Sequence, residues 1–272
     1  MTFPALFSPK DVPPGSLLLD ARPGAGTFTL GHLPGAVHAD WDTILSSAKD
    51  PGHDPALGGR HPLPALERWA AQLGAWGVTP GTWVVAYDDA GGGNGAARAW
   101  WMLRALGHER AAILDGGLQA GLEAGLSAPA LPPAPPYPGG RWLRPTVTLE
   151  EVDRLRRDPA WKVLDVRAGF RYRGESEPID PVAGHIPGAL NLPFAENLDA
   201  RGRFKPAAEL RRMYRDLLGG TGPDHLVVHC GSGITACHTL FALELAGLDG
   251  ASLYVGSWGE WCRNPMPREP NK

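Results

Sequence analysis

The feature that most constrains this chain is that it is written twice. Leu17-Leu18-Leu19-Asp20-Ala21-Arg22, followed by Gly31-His32-Leu33-Pro34-Gly35-Ala36, returns as Val163-Leu164-Asp165-Val166-Arg167, followed by Gly184-His185-Ile186-Pro187-Gly188-Ala189. Val84-Val85-Ala86-Tyr87-Asp88 parallels Leu226-Val227-Val228-His229-Cys230, and Ala112-Ile113-Leu114-Asp115-Gly116-Gly117 parallels Ser252-Leu253-Tyr254-Val255-Gly256-Ser257. A period this long marks a duplicated domain and not a solenoid repeat. Between the copies, Ala128 to Gly140 is dense in proline, which predicts a stiff extended linker. The expected division is a first domain over 1–128, a linker over 129–145 and a second domain over 146–272.

Within each copy, short apolar runs alternate with helical segments: Val84 to Tyr87, then Ala96 to Leu106, then Ala111 to Leu114. That alternation predicts α/β architecture, two tandem domains each with a mainly parallel sheet flanked by helices. Sites in such folds lie beyond the carboxyl ends of the strands.

At one such end stands His229-Cys230-Gly231-Ser232-Gly233-Ile234-Thr235-Ala236, between an apolar run and a helical segment. A tight small-residue loop there can aim backbone N–H groups at the sulfur, and the helix N-terminus adds to their field. Both favour a thiolate, the nucleophilic form. Cysteine phosphatases need an arginine six residues after the cysteine to clamp phosphate; Ala236 stands there, so the loop suits sulfur chemistry better. In the first copy Asp88 replaces the cysteine and cannot carry sulfur. That copy is expected to be chemically silent, with Asp88 a turn or capping residue and the longer loop from Asp89 to Gly95 not forming the same cradle.

Composition excludes several classes. A net charge of −3 argues against nucleic acid or an anionic membrane as partner. Three cysteines (Cys230, Cys237, Cys262) do not make a disulfide framework. No membrane-length apolar run and no signal-like start from Met1 onward are visible, so the expected location is cytoplasmic. No clustered metal-ligand spacing is present in the sequence, and no metal site is expected.

Taken together, these motifs resemble the two-domain rhodanese-type sulfurtransferases, the thiosulfate/3-mercaptopyruvate sulfurtransferase family, along nearly the whole chain. The resemblance rests on the loop Cys230 to Ala236, on Arg171-Tyr172-Arg173-Gly174 to Asp180 with the Gly184 to Ala189 turn, and on Tyr254-Val255-Gly256-Ser257-Trp258-Gly259-Glu260-Trp261. It implies a ping-pong reaction without cofactor. Cys230 takes sulfane sulfur from a donor as a persulfide, and passes it to cyanide, a thiol or a thiol protein such as a thioredoxin. It also implies that Arg171 binds the donor's anionic end.

On donor choice the motifs pull both ways. Mercaptopyruvate-type members have a second arginine near Asp180, absent here, which places thiosulfate first and 3-mercaptopyruvate second. Thiosulfate-preferring animal members carry basic residues where this chain has Gly231 and Ser232, which points the other way. The resemblance further suggests a proton relay of Ser232 with Asp42 and His61. His32, His185, Asp20 and Asp165, present in both copies, read as structural, and Trp258 and Trp261 as pocket mouth or core. A persulfide carrier or redox protein that does not turn over small molecules is the other functional class open to such a loop.

Overall fold

The computed structural model describes residues 3–93 and 95–270; Met1, Thr2 and Asn94, on which parts of the N-terminal and loop readings fall, lie outside them. The chain divides into two compact units, each described by itself below. The first comprises residues 1–49, 63–143 and 200–204, and the second 50–62, 144–199 and 205–272. A short segment encoded early in the chain, 50–62, therefore belongs to the second unit.

The first unit carries strands β1 (Leu6–Phe7), β2 (Leu17–Asp20), β3 (Val37–His38), β4 (Val84–Tyr87) and β5 (Ala111–Leu114), the second β6 (Thr146–Val147), β7 (Lys162–Asp165), β8 (Leu190–Asn191), β9 (Leu226–His229) and β10 (Ser252–Tyr254). The sheet orders are β1-β5-β4-β2-β3 and β6-β10-β9-β7-β8, the same order twice, and every pairing is parallel. The central strands β2, β4, β5 and β9 are buried at every residue. That is why they read as unbroken apolar runs, since a parallel sheet covered on both faces has no wet side.

The helices differ in what they cover. Ala207–Leu218 buries Leu210, Tyr214 and Leu218 along one face, the i, i+4 spacing of a surface helix. Thr235–Leu245 is buried over Ala236 to Leu243 without a polar face, so its N-terminus is fixed firmly at the end of β9. Among the described residues, no helix is long and apolar enough to cross a membrane.

The proline-rich stretch is pinned along the first unit. Ala134 N–H donates to Gly74 O (2.8 Å), Tyr137 N–H to Ala70 O (2.9 Å) and Leu143 N–H to Ala105 O (2.7 Å). Buried Tyr137 also meets buried His108, with His108 Nδ1 and Tyr137 Oη 2.9 Å apart. Burial lowers the His108 pKa to about 4. A histidine held neutral in the fold stabilises it fully above the unfolded value near 6.5. That contribution is lost as pH falls from there toward about 4, on the order of 3 kcal/mol in all. The urea midpoint should therefore fall with acidification over this window, and fall less steeply in His108→Gln. Parallel pH profiles for the two proteins would show that His108 does not titrate this way.

The duplicated motifs are structural in both copies. Asp20 accepts from Arg22 Nε and Nη2, and Asp165 from Arg167 Nε and Nη2, at 2.6–3.2 Å. Each arginine then reaches a glycine carbonyl, Gly31 or Gly184, at the start of the Gly-His turn. His32 and His185 each face a backbone carbonyl through Nδ1, Phe28 O at 2.9 Å and Tyr172 O at 2.7 Å. Trp258 and Trp261 are fully buried in the second core with Val152, Val163, Ile186 and Val227, which settles them as packing.

Candidate active site

Cys230 directly follows β9, beside the carboxyl end of β7, where Asp165 pairs with His229. The sulfur is buried, and two backbone groups donate to it, Gly233 N–H at 3.1 Å and Ser232 N–H at 3.4 Å. Gly233 is at φ 75°, and a Cβ there would sit 2.5 Å from Val255 O, so only glycine lets the loop close this tightly. Donors fixed on a sulfur favour negative charge on that atom without reorganisation. The Cys230 carbonyl accepts from Trp258 N–H (3.0 Å) and the Gly231 carbonyl from Gly259 N–H (2.9 Å), so the loop is anchored from behind. Cys237 is buried in the following helix and donates to Gly233 O at 3.3 Å. His229 is also buried, and burial lowers its pKa against the pull of Asp165, 3.9 Å away; it is held neutral behind the loop.

Two guanidinium groups stand in front of the loop. An added Cβ on Gly231 would lie 2.9 Å from Arg60 Nη2 and 3.3 Å from Arg171 Nη2. Arg171 is held by Glu177, with Nη2 to Oε1 at 2.7 Å and Nε to both oxygens at 3.1 Å. Buried Asp180 accepts from Arg60 Nε (3.1 Å), Arg263 Nη1 (2.9 Å) and Arg171 Nη2 (3.4 Å). Burial alone would raise the Glu177 pKa, but Arg171 and the N–H groups of Asp180 and Ile179 hold it below the ordinary carboxylate range. The carboxylates thus orient the arginines so that their outer nitrogens face Gly231 of the loop, where an anion could meet them.

Arg60 is a cation that the sequence-based weighing of donors left out. The second cation missing near Asp180 is supplied in space by the 50–62 segment, whose residues pack on the C-terminal signature: Gly58 N–H donates to Glu260 Oε1 (2.7 Å) and Asn264 Nδ2 to Ala56 O (2.9 Å). A Cβ on Gly59 would strike Gly256 at 2.3 Å, so the glycine next to Arg60 permits that close packing. The bare Gly231 leaves the room that the ends of the two arginines fill, and any side chain there would have to displace them.

The remaining sequence candidates fall as follows. His61, next to Arg60, is half-buried in the same unit as Cys230. Asp42 belongs to the first unit, where Lys49 Nζ lies 3.4 Å from it in an exposed ion pair. Arg173 is exposed and pairs with Glu175. Ile234, Thr235 and Ala236 lead into the helix Thr235–Leu245.

In the first unit, Asp88 occupies the place of Cys230. There the N–H groups of Ala90 (2.9 Å), Gly92 (2.9 Å) and Ala96 (3.1 Å) converge on its carboxylate, a different set of positions from the Ser232 and Gly233 amides on Cys230. A side-chain carboxylate thus fills the place that the sulfur holds in the second unit.

The Rhodanese-like domain model matches residues 8–124 and again 148–264. The chain belongs to the rhodanese family. Among relatives, a Pseudomonas aeruginosa protein named "Probable 3-mercaptopyruvate sulfurtransferase" is 44% identical over 264 residues, covering 93% of this chain and 91% of its own length. A Mycobacterium tuberculosis protein provisionally named thiosulfate sulfurtransferase SseB is 38% identical over 254 residues, covering 91% and 86%. The solved 3-mercaptopyruvate sulfurtransferase from Leishmania major superposes with a TM-score of 0.80 at 29% identity, covering 96% of this chain and 76% of that one. This rhodanese is accordingly a two-domain enzyme of sulfur transfer.

Proposed function

We propose that this sulfurtransferase draws sulfur from 3-mercaptopyruvate and carries it as a persulfide on Cys230. The carrying observation is the pair of guanidinium groups, Arg60 and Arg171, within 2.9–3.3 Å of a Cβ built on Gly231, the residue after the cysteine. They suit the planar carboxylate of a 3-mercapto-2-oxo acid, and the relatives' names lean the same way. The Cys230 thiolate attacks the donor sulfur. A sulfur–sulfur bond forms, the carbon–sulfur bond breaks, and its electron pair leaves on the pyruvate enolate, which takes up a proton. The amides of Ser232 and Gly233, with the rest of the loop through Ile234, Thr235 and Ala236, support the anionic persulfide. Ser232 and His61, the residue after Arg60, are assigned to deliver that proton, without Asp42, which pairs with Lys49. A small thiol, cyanide or a thiol protein then removes the outer sulfur.

Thiosulfate is the second reading. Its sulfonate also suits the two cations, and the mycobacterial relative's name mentions it. The deciding measurement is kcat/KM for both donors on one preparation. The expected result is a preference for 3-mercaptopyruvate of at least about tenfold, the scale of discrimination by one well-met polar group. Equal or better use of thiosulfate would reverse the assignment.

A further inference from the structure

One strained backbone position of the second unit abuts Cys230. Ser257 has φ 55° and is the only non-glycine residue in the left-handed region among the described residues. A side chain there crowds its own backbone, and such strain persists where the surrounding structure holds it, commonly at functional sites. The first unit provides an internal control. Gly117 occupies the matching position of the repeat and holds φ 57°. Leu118 N–H donates to Asp88 O (2.8 Å) as Trp258 N–H does to Cys230 O (3.0 Å). The same backbone is therefore built with glycine beside Asp88 and with serine beside Cys230. What the strain brings is a hydroxyl, and only in the unit that holds the cysteine. That hydroxyl is fully buried; it accepts Cys230 N–H at 3.1 Å, donates to Tyr254 O at 2.9 Å and lies 4.0 Å from Sγ.

We infer that Ser257 is a positioning residue for sulfur loading, holding the Cys230 backbone so that Sγ stays against the Ser232 and Gly233 amides while the donor reacts. This rests on Cys230 being the loaded residue. The bridge from Tyr254 O through Ser257 Oγ to Cys230 N ties the ends of the neighbouring strands β10 and β9. Without the hydroxyl the buried Cys230 N–H loses its acceptor, and the peptide carrying the sulfur loses its fixed orientation. Glycine at 257 keeps the backbone conformation, as Gly117 does.

The test is Ser257→Gly, with Ser257→Ala alongside, in the full chain. The single-turnover rate of pyruvate release from 3-mercaptopyruvate, the donor KM and the thermal melt are compared with the native protein. The loading rate should fall at least about tenfold, the scale of a small misplacement of a reacting group. KM should be unchanged, because Arg60 and Arg171 are untouched, and Ser257→Gly should melt cooperatively near the native temperature. A native loading rate in either folded variant, a loss confined to KM, or a Ser257→Gly protein that does not fold would each overturn the inference. Cys230→Ser in the same assay separates the two ideas. Pyruvate release by that variant removes the Cys230 reading itself, whereas an inert Cys230→Ser beside a native-like Ser257→Gly removes Ser257 alone.

Discussion

Cys230→Ser should lower sulfur transfer by at least about 10⁴-fold while leaving the fold intact, the scale of loss when an enzyme's nucleophile is removed. The hydroxyl is almost the same size as the thiol, and the Ser232 and Gly233 amides that reach Sγ at 3.4 and 3.1 Å can donate to oxygen as well. Packing around the loop is therefore kept. The chemistry is not, because a serine hydroxyl stays protonated at neutral pH and forms no persulfide equivalent. Pyruvate release, circular dichroism and the intact mass after exposure to donor check the three parts together. The native protein should gain one sulfur, removable by a thiol, and the variant none. A folded variant with substantial turnover would move the reacting centre elsewhere.

Arg60→Ala and Arg171→Ala should each raise the KM for 3-mercaptopyruvate by roughly 10–100-fold, the equivalent of one charge-assisted hydrogen bond, with a smaller change in kcat. Their effects should not add, because both guanidinium groups lean on Asp180. Stability should separate them. Removing Arg60 leaves Asp180 with Arg263 at 2.9 Å and Arg171 at 3.4 Å. Removing Arg171 takes the closer of two guanidinium partners from buried Glu177, leaving Arg167 at 3.1 Å. Arg171→Ala should thus melt at lower temperature than Arg60→Ala. Arg173→Ala, which loses only an exposed pair with Glu175, serves as the control and should match the native protein in both respects. An unchanged KM for Arg60→Ala with either donor would remove Arg60 from the donor site.

The reach of the sequence is clearest at the two ends of the argument. Cys230 and its cradle were legible because strand, loop and helix are covalent neighbours: three residues place both amides that reach the sulfur. The duplication, the parallel sheets and the structural part played by the paired aspartates and histidines were legible because the same motifs and apolar runs recur in the same order in both copies. Arg60 was not. It stood in plain sight beside His61, but nothing in its neighbours says that the 50–62 segment packs in the second unit; only the adjacent Gly58 and Gly59 hinted at a close approach. Ser257 was equally hidden, because its hydroxyl acts across two strands and its φ angle is not written in its residue type.

By itself, then, the sequence determined a twofold α/β fold and the loop that closes on the Cys230 sulfur, because hydrophobic runs set strands and local amides set the cradle. Only the tertiary structure decided which cations face that loop and what anchors it. Those groups converge through packing between segments far apart in the chain, and long-range proximity leaves no mark in residue order.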